Sequence, residues 1–117
     1  MDKLYDTSGL RAFCLNDDVL VERLLRLFLE IHVPAARELG RAFGEANLEK
    51  VAGLAHWMKP SIQQMGIVRL KDDVGAIEDM ASGKVSPDGL DVLVSGFCSV
   101  MEQVGGQLRL ELEHPAG

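Results

Sequence analysis

His56 and Lys59 stand three residues apart in the run His56-Trp57-Met58-Lys59-Pro60-Ser61-Ile62-Gln63-Gln64-Met65-Gly66, inside an amphipathic helical stretch. On a helix that spacing puts both side chains on one face. A neutral imidazole is a nucleophile near neutral pH, and an anion built on it would have the lysine ammonium as counter-charge. The chemistry this pair suits is covalent carriage of an anionic group, a phosphoryl group above all. The same face continues to Gln63, which could donate a hydrogen bond to a phosphoryl oxygen.

The core stripe of this helix is Leu48, Val51, Ala55, Met58, Ile62 and Met65, capped by Asn47 and closed by Gly66. His56 lies more than about 90° from the stripe centre and is expected to face solvent. The small residues Ala52 and Gly53 one turn earlier leave the imidazole open to a macromolecular partner. Pro60 deprives the His56 carbonyl of its usual donor and is expected to disturb the helix beside the histidine. Trp57 reads either as a half-buried packing residue or as an aromatic anchor for docking, with Ala52 and Gln64 beside it on the docking surface.

The remaining elements must position this helix. Asp6-Thr7-Ser8 caps a short first helix with Leu10, Phe13 and Cys14. Asn16-Asp17-Asp18 caps a long second helix whose stripe is Leu20, Leu24, Phe28, Ile31, Ala35, Leu39 and Ala42. Pro34 falls inside it and is expected to bend it, with Gly44 as the stop. Leu25, Leu29 and Val33 exceed that stripe and either pack under the first helix or widen a docking patch. A fourth helix carries Val68, Leu70 or Lys71, Val74, Ile77 and Met80. Ser86-Pro87-Asp88 reads as a cap with proline at the first position of a fifth helix, through Leu90, Leu93, Val94, Phe97, Val100, Met101, Val104 and Leu108. Four long amphipathic helices with short connections imply an all-α, antiparallel four-helix bundle with a short extra N-terminal helix, a single domain over residues 1–117.

Composition narrows the partners. Hydrophobic residues make up 47% and aromatics 5%, so the core is aliphatic, as helix packing prefers. A net charge of -6 opposes nucleic acid and anionic membrane, and leaves proteins or small molecules. No apolar run is long enough to span a bilayer, and the first residues are not a secretory signal, so the chain reads as soluble and cytoplasmic. Met1 followed at once by helical signals leans towards a free-standing protein. Cys14 and Cys98 read as reduced core thiols.

The stretch Leu54-Ala55-His56-Trp57-Met58-Lys59-Pro60-Ser61 through Met65-Gly66, with Phe28-Leu29-Glu30 and Pro34 before it, resembles a histidine-containing phosphotransfer domain. The family motif is a histidine, a lysine three later, a small residue or proline and then serine, and a glycine ten after the histidine. The resemblance covers about residues 5 to 81; the fifth helix matches only as an amphipathic bundle helix. Where the family often has glycine after the lysine, this chain has Pro60. The resemblance implies a relay of phosphoryl groups between receiver domains of response regulators or hybrid histidine kinases. In it, His56 is phosphorylated, Lys59 is the adjacent cation, and Gly66 provides the close helix approach that leaves room around the site. It also implies a monomer with no cofactor or metal of its own, Mg2+ being bound by the partner receiver. The chain has neither a phosphate-binding GxxxxGK[ST] loop nor a kinase glycine loop, so autophosphorylation from ATP is not expected.

Two other classes stand beside this one. A bundle that binds a receiver or kinase without carrying phosphate would act as scaffold or inhibitor. A metal or cofactor bundle would need inward histidines and glutamates on several helices, and there are only three histidines. His32 reads as structural or solvent-facing, His114 as tail. Asp17-Asp18 and Asp72-Asp73 read as helix-start carboxylates. Gly105-Gly106 marks a kink, a close contact or the end of the last helix.

Overall fold

A computed structural model describes residues 2–113. The chain is all-helical, in the order α1 (Ser8–Phe13), α2 (Asp18–Leu27), a π-helical turn (Phe28–His32), α3 (Val33–Gly44), α4 (Leu48–Gln64), α5 (Val68–Ala81) and α6 (Leu90–Glu113). Its extents are 47 × 23 × 22 Å. The buried side chains form one cluster, centred on Leu39, Met58, Ile62, Ile77, Phe97, Met101 and Leu108, and no polar or charged residue is fully buried among the described residues. Among those residues no helix is long and apolar enough to cross a membrane. His114 lies outside the described residues.

α2, the π-turn and α3 form one continuous rod. Pro34 has no N–H to give to the Glu30 carbonyl, and in regular α-helix its ring would crowd that carbonyl. The π-turn relieves this by inserting one extra residue, so that the Val33 N–H reaches five residues back to the Phe28 carbonyl. The inserted residue rotates everything beyond it. Val21, Leu25 and Phe28 face the core before the turn, and Val33, Ala36, Leu39 and Ala42 after it. The expected stripe is corrected accordingly: Leu20 and Ile31 are exposed, Leu24 and Ala35 half-buried, while Leu25 and Val33 are core residues.

The other helices keep their stripes except near their starts. Val51, Ala55, Met58, Ile62 and Met65 of the α4 stripe are buried, with Leu48 exposed in the first turn. The Asn47 carboxamide oxygen accepts from the Lys50 N–H at 3.2 Å. In α5, Leu70, Val74 and Ile77 are buried, but Val68 is 77% exposed and does not join the core. Asp72 and Asp73 lie in its second turn and cap nothing, whereas Asp17 accepts from the Val19 and Leu20 N–H groups as an N-cap. Phe13 is exposed and Leu10 and Cys14 carry the α1 contact.

α6 starts later than the serine-proline signal suggests. Gly89 has φ +88°, which no right-handed helix accommodates, so Ser86 to Gly89 form a turn outside the helix. Of the glycine pair near its far end, Gly105 is a close contact and Gly106 is not. α6 runs unbroken to Glu113, and a Cβ on Gly105 would lie 3.1 Å from Val33 Cγ1. Both cysteines are free, and the Cys98 thiol donates to the Ala36 carbonyl at 3.4 Å.

The turn between α4 and α5 rests on Gly66. At φ +62° it closes α4 in the left-handed conformation, with the Ile67 N–H bonded to the Ile62 carbonyl. A Cβ there would meet the Asp6 carbonyl oxygen at 2.4 Å, because the N-terminal segment crosses at this point. The Asp6 N–H donates to the Met65 carbonyl, the Leu4 N–H to the Gln107 side chain, and the Tyr5 hydroxyl to Glu111. Burial, and then the hydrogen bond to Glu111, push the Tyr5 phenol above its ordinary range.

Two substitutions test this local account by urea unfolding. Ala46 holds φ +59° between α3 and α4 with its side chain exposed, so Ala46→Gly is expected to stabilise the protein by about 0.5–1 kcal/mol. Gly66→Ala combines left-handed strain with a backbone clash and is expected to cost at least about 2 kcal/mol.

Candidate functional site

α4 packs most extensively against α5 on one side and against α3 on the other. Its outward strip carries His56. The imidazole is 76% exposed, and its Nδ1 lies 2.7 Å from a carboxylate oxygen of Glu78, which is only 19% exposed on α5. A carboxylate can only accept, so this contact selects the tautomer with the proton on Nδ1. The lone pair is then on Nε2, the nitrogen left without a protein partner.

Lys59 lies partly buried along the same α4/α5 seam. Its Nζ is 3.7 Å from the place a Cβ on Gly75 would occupy, so the missing side chain gives the lysine its bed. Among the described residues Lys59 makes no ion pair, as is also true of Arg23, Arg69, Lys71, Lys84 and Arg109, whereas Lys3, Arg11, Arg26, Arg37, Arg41 and Lys50 are paired. An unpaired cation and an imidazole with a free nitrogen therefore share one face, and an added anion would meet no fixed competitor for the lysine.

The other anticipated residues distribute differently. Gly53 is exposed with open space where a side chain would go, and Ala52 is half-buried, so neither residue shields His56 from the N-terminal side. Pro60 is exposed and α4 passes through it without a π-turn. Gln63 lies two helical turns beyond His56, about 10 Å along the axis, in an open depression with Gly66 and Lys71. Gly66 is about 15 Å along the axis from His56, and its close approach is to the N-terminal segment rather than to a helix beside the imidazole.

Trp57 turns to the opposite flank. Half exposed, its ring lies 4.6 Å from that of His32, which in turn stacks 5.2 Å from Phe28. This stack borders a cleft of about 220 Å³ lined by Leu10, Leu24, Ile31, Ser61 and Gln64 among others. Trp57 is thus packed on one face and open on the other. Leu27 and Ile31 are exposed on the same flank.

Glu78 and Gly75 were not singled out in the sequence, yet a signal exists. The α4–α5 hairpin turns about Ile67, with His56 and Glu78 each eleven residues away, and Lys59 and Gly75 each eight. Pairing residues symmetrically about the turn would have found both.

Set against protein-family models, characterised proteins and solved structures, the chain gives no match. Among the described residues, no three histidine, cysteine, aspartate or glutamate side chains come together as a metal-holding group.

The Glu78 contact is open to a direct check. In neutral His56 the Nδ1–H tautomer is expected to dominate, and Glu78→Ala is expected to shift it towards Nε2–H. Imidazole 15N chemical shifts of the two proteins distinguish the tautomers.

Proposed function

We propose that the chain is a phosphorelay intermediate of the histidine-containing phosphotransfer type, an antiparallel four-helix bundle of the α2–α3 rod, α4, α5 and α6 with α1 as an extra helix. The observation that carries this reading is the pairing of an exposed imidazole, oriented through Nδ1 by Glu78, with the unpaired cation Lys59.

In this reading Nε2 of His56 attacks the phosphorus of an aspartyl phosphate on a docked receiver domain. The N–P bond forms as the acyl P–O bond breaks, and the aspartate leaves as a carboxylate. Glu78 accepts the Nδ1–H throughout and steadies the positive charge that grows on the ring. Lys59 offsets the charge of the phosphoryl oxygens. The reverse step passes the group to another aspartate. Positioning and charge neutralisation govern such transfers, and the receiver would contribute the Mg2+. The half-exposed Trp57, with Leu27 and Ile31, supplies an apolar docking area on the rod-facing flank of α4, across the helix from the Glu78 contact.

The test uses receivers prephosphorylated on aspartate, with intact mass as readout. The wild type is expected to gain one acid-labile, alkali-stable phosphoryl group, and His56→Gln none. Lys59→Gln is expected to accept it roughly tenfold more slowly, equivalent to about 1.4 kcal/mol in the barrier. If competent receivers bind and no phosphoryl ever appears, the relay reading falls and a non-phosphorylated scaffold or inhibitor takes its place.

A further inference from the structure

His32 is the last residue of the π-turn, and its Nδ1 is buried with no hydrogen-bond partner among the described residues. The ring is held between Phe28 on its own rod and Trp57 on α4. An unpartnered lone pair on Nδ1 is tolerable there, but a proton added to it would put a charge on a half-buried ring and a donor on a buried atom that no acceptor reaches in this arrangement. Among the described residues no charged group lines the stack, and neither the Ser61 hydroxyl nor the Gln64 amide beside it bonds to Nδ1. Leu10 comes from α1, and Ser61, Gln64 and Met65 from α4, none of them charged. On its own rod Glu30 is exposed, and Arg37 is tied to Glu102 of α6. On α4 the residue next to Trp57 is His56, which is tied to Glu78 of α5.

We propose that His32 is a proton-operated latch for Trp57: neutral, it holds the indole against the rod, and protonated, it leaves the stack and releases the indole to solvent. Uptake of one solvent proton on Nδ1 is the whole chemical change. The π-turn makes the movement local, because its backbone hydrogen bonding is already shifted by one residue at this point. Burial lowers the His32 pKa from the ordinary value of 6.5, and burial is its sole cause. The native ring therefore resists a proton that the unfolded ring accepts. Stability rises with pH through the interval that ends near 6.5 and falls as pH drops through that interval. Any effect on partner docking rests on the phosphorelay reading, whereas the latch itself does not.

The chain has one tryptophan, so intrinsic fluorescence reports Trp57 alone. On acidification, the emission is expected to shift to the red and acrylamide quenching to rise towards that of a fully exposed indole, with a midpoint below 6.5. The same midpoint is expected in the NMR titration of the His32 ring. His32→Phe keeps a stacking ring without the titration and is expected to abolish the transition, with circular dichroism checking the fold. His56→Gln is expected to retain it. Titration of His32 at or above 6.5, or titration without any change in Trp57 accessibility, would overturn the latch. So would a transition that survives in His32→Phe or disappears in His56→Gln. Loss of phosphoryl acceptance in the separate receiver assay leaves these readouts untouched, so the two proposals fail independently.

Discussion

The register of the α4–α5 hairpin is the constraint on which the site depends. A left-handed Gly66, open to the Asp6 backbone and followed at once by buried Ile67, fixes where α5 begins relative to the end of α4. Once that pivot is set, antiparallel packing leaves little freedom for what faces what. Glu78 meets Nδ1 of His56, and Gly75 lies under the ammonium of Lys59. A one-residue slip would turn Ile77 and Val74, both buried, away from the core. The same apolar contacts that hold the helices together thus hold the carboxylate at 2.7 Å from the imidazole. A polar contact at the surface is here positioned by packing beneath it.

Much of the fold was legible because helix periodicity and helix ends leave local marks. Most of the stripes of α4 and of α6 can be read residue by residue, and Asn47 and Asp17 cap the helices their types suggest. The exposure of His56 follows from its angle to that stripe alone. What escaped was non-local or depended on backbone conformation. Glu78 belongs to another helix, and its role appears only when the hairpin is folded in register. Gly89 moved the start of α6 by adopting a conformation that the proline beside it does not reveal. Gly66 was legible as a terminator, but its nearest neighbour, the crossing N-terminal segment, was not.

The rod illustrates a further limit of periodicity. Pro34 signals a disturbance, yet two responses are open to a helix, a bend with the stripe in register or an inserted residue that shifts it. The chain adopts the second, which exchanges Leu20 and Ile31 for Val21 and Val33 at the core. This choice also places His32 against Trp57 and leaves Ile31 outside, so one backbone hydrogen bond to the Phe28 carbonyl shapes the flank next to the proposed carrier. Pro60 in α4 produces no such insertion, and the register from His56 to Gly66 is preserved.

The tethering of the N-terminal segment bears on architecture at a larger scale. Lys3 and Tyr5 meet Glu111, and Leu4 meets Gln107, so both ends of the described chain converge at one pole, beside the end of α4. His56 lies on the flank, about 15 Å along α4 from that pole. A neighbouring segment joined at either end would therefore extend from the pole. The flank bearing the imidazole would stay clear of it. With the described ends adjacent and the imidazole away from both, the fold could be joined at two neighbouring points without either connection starting beside His56.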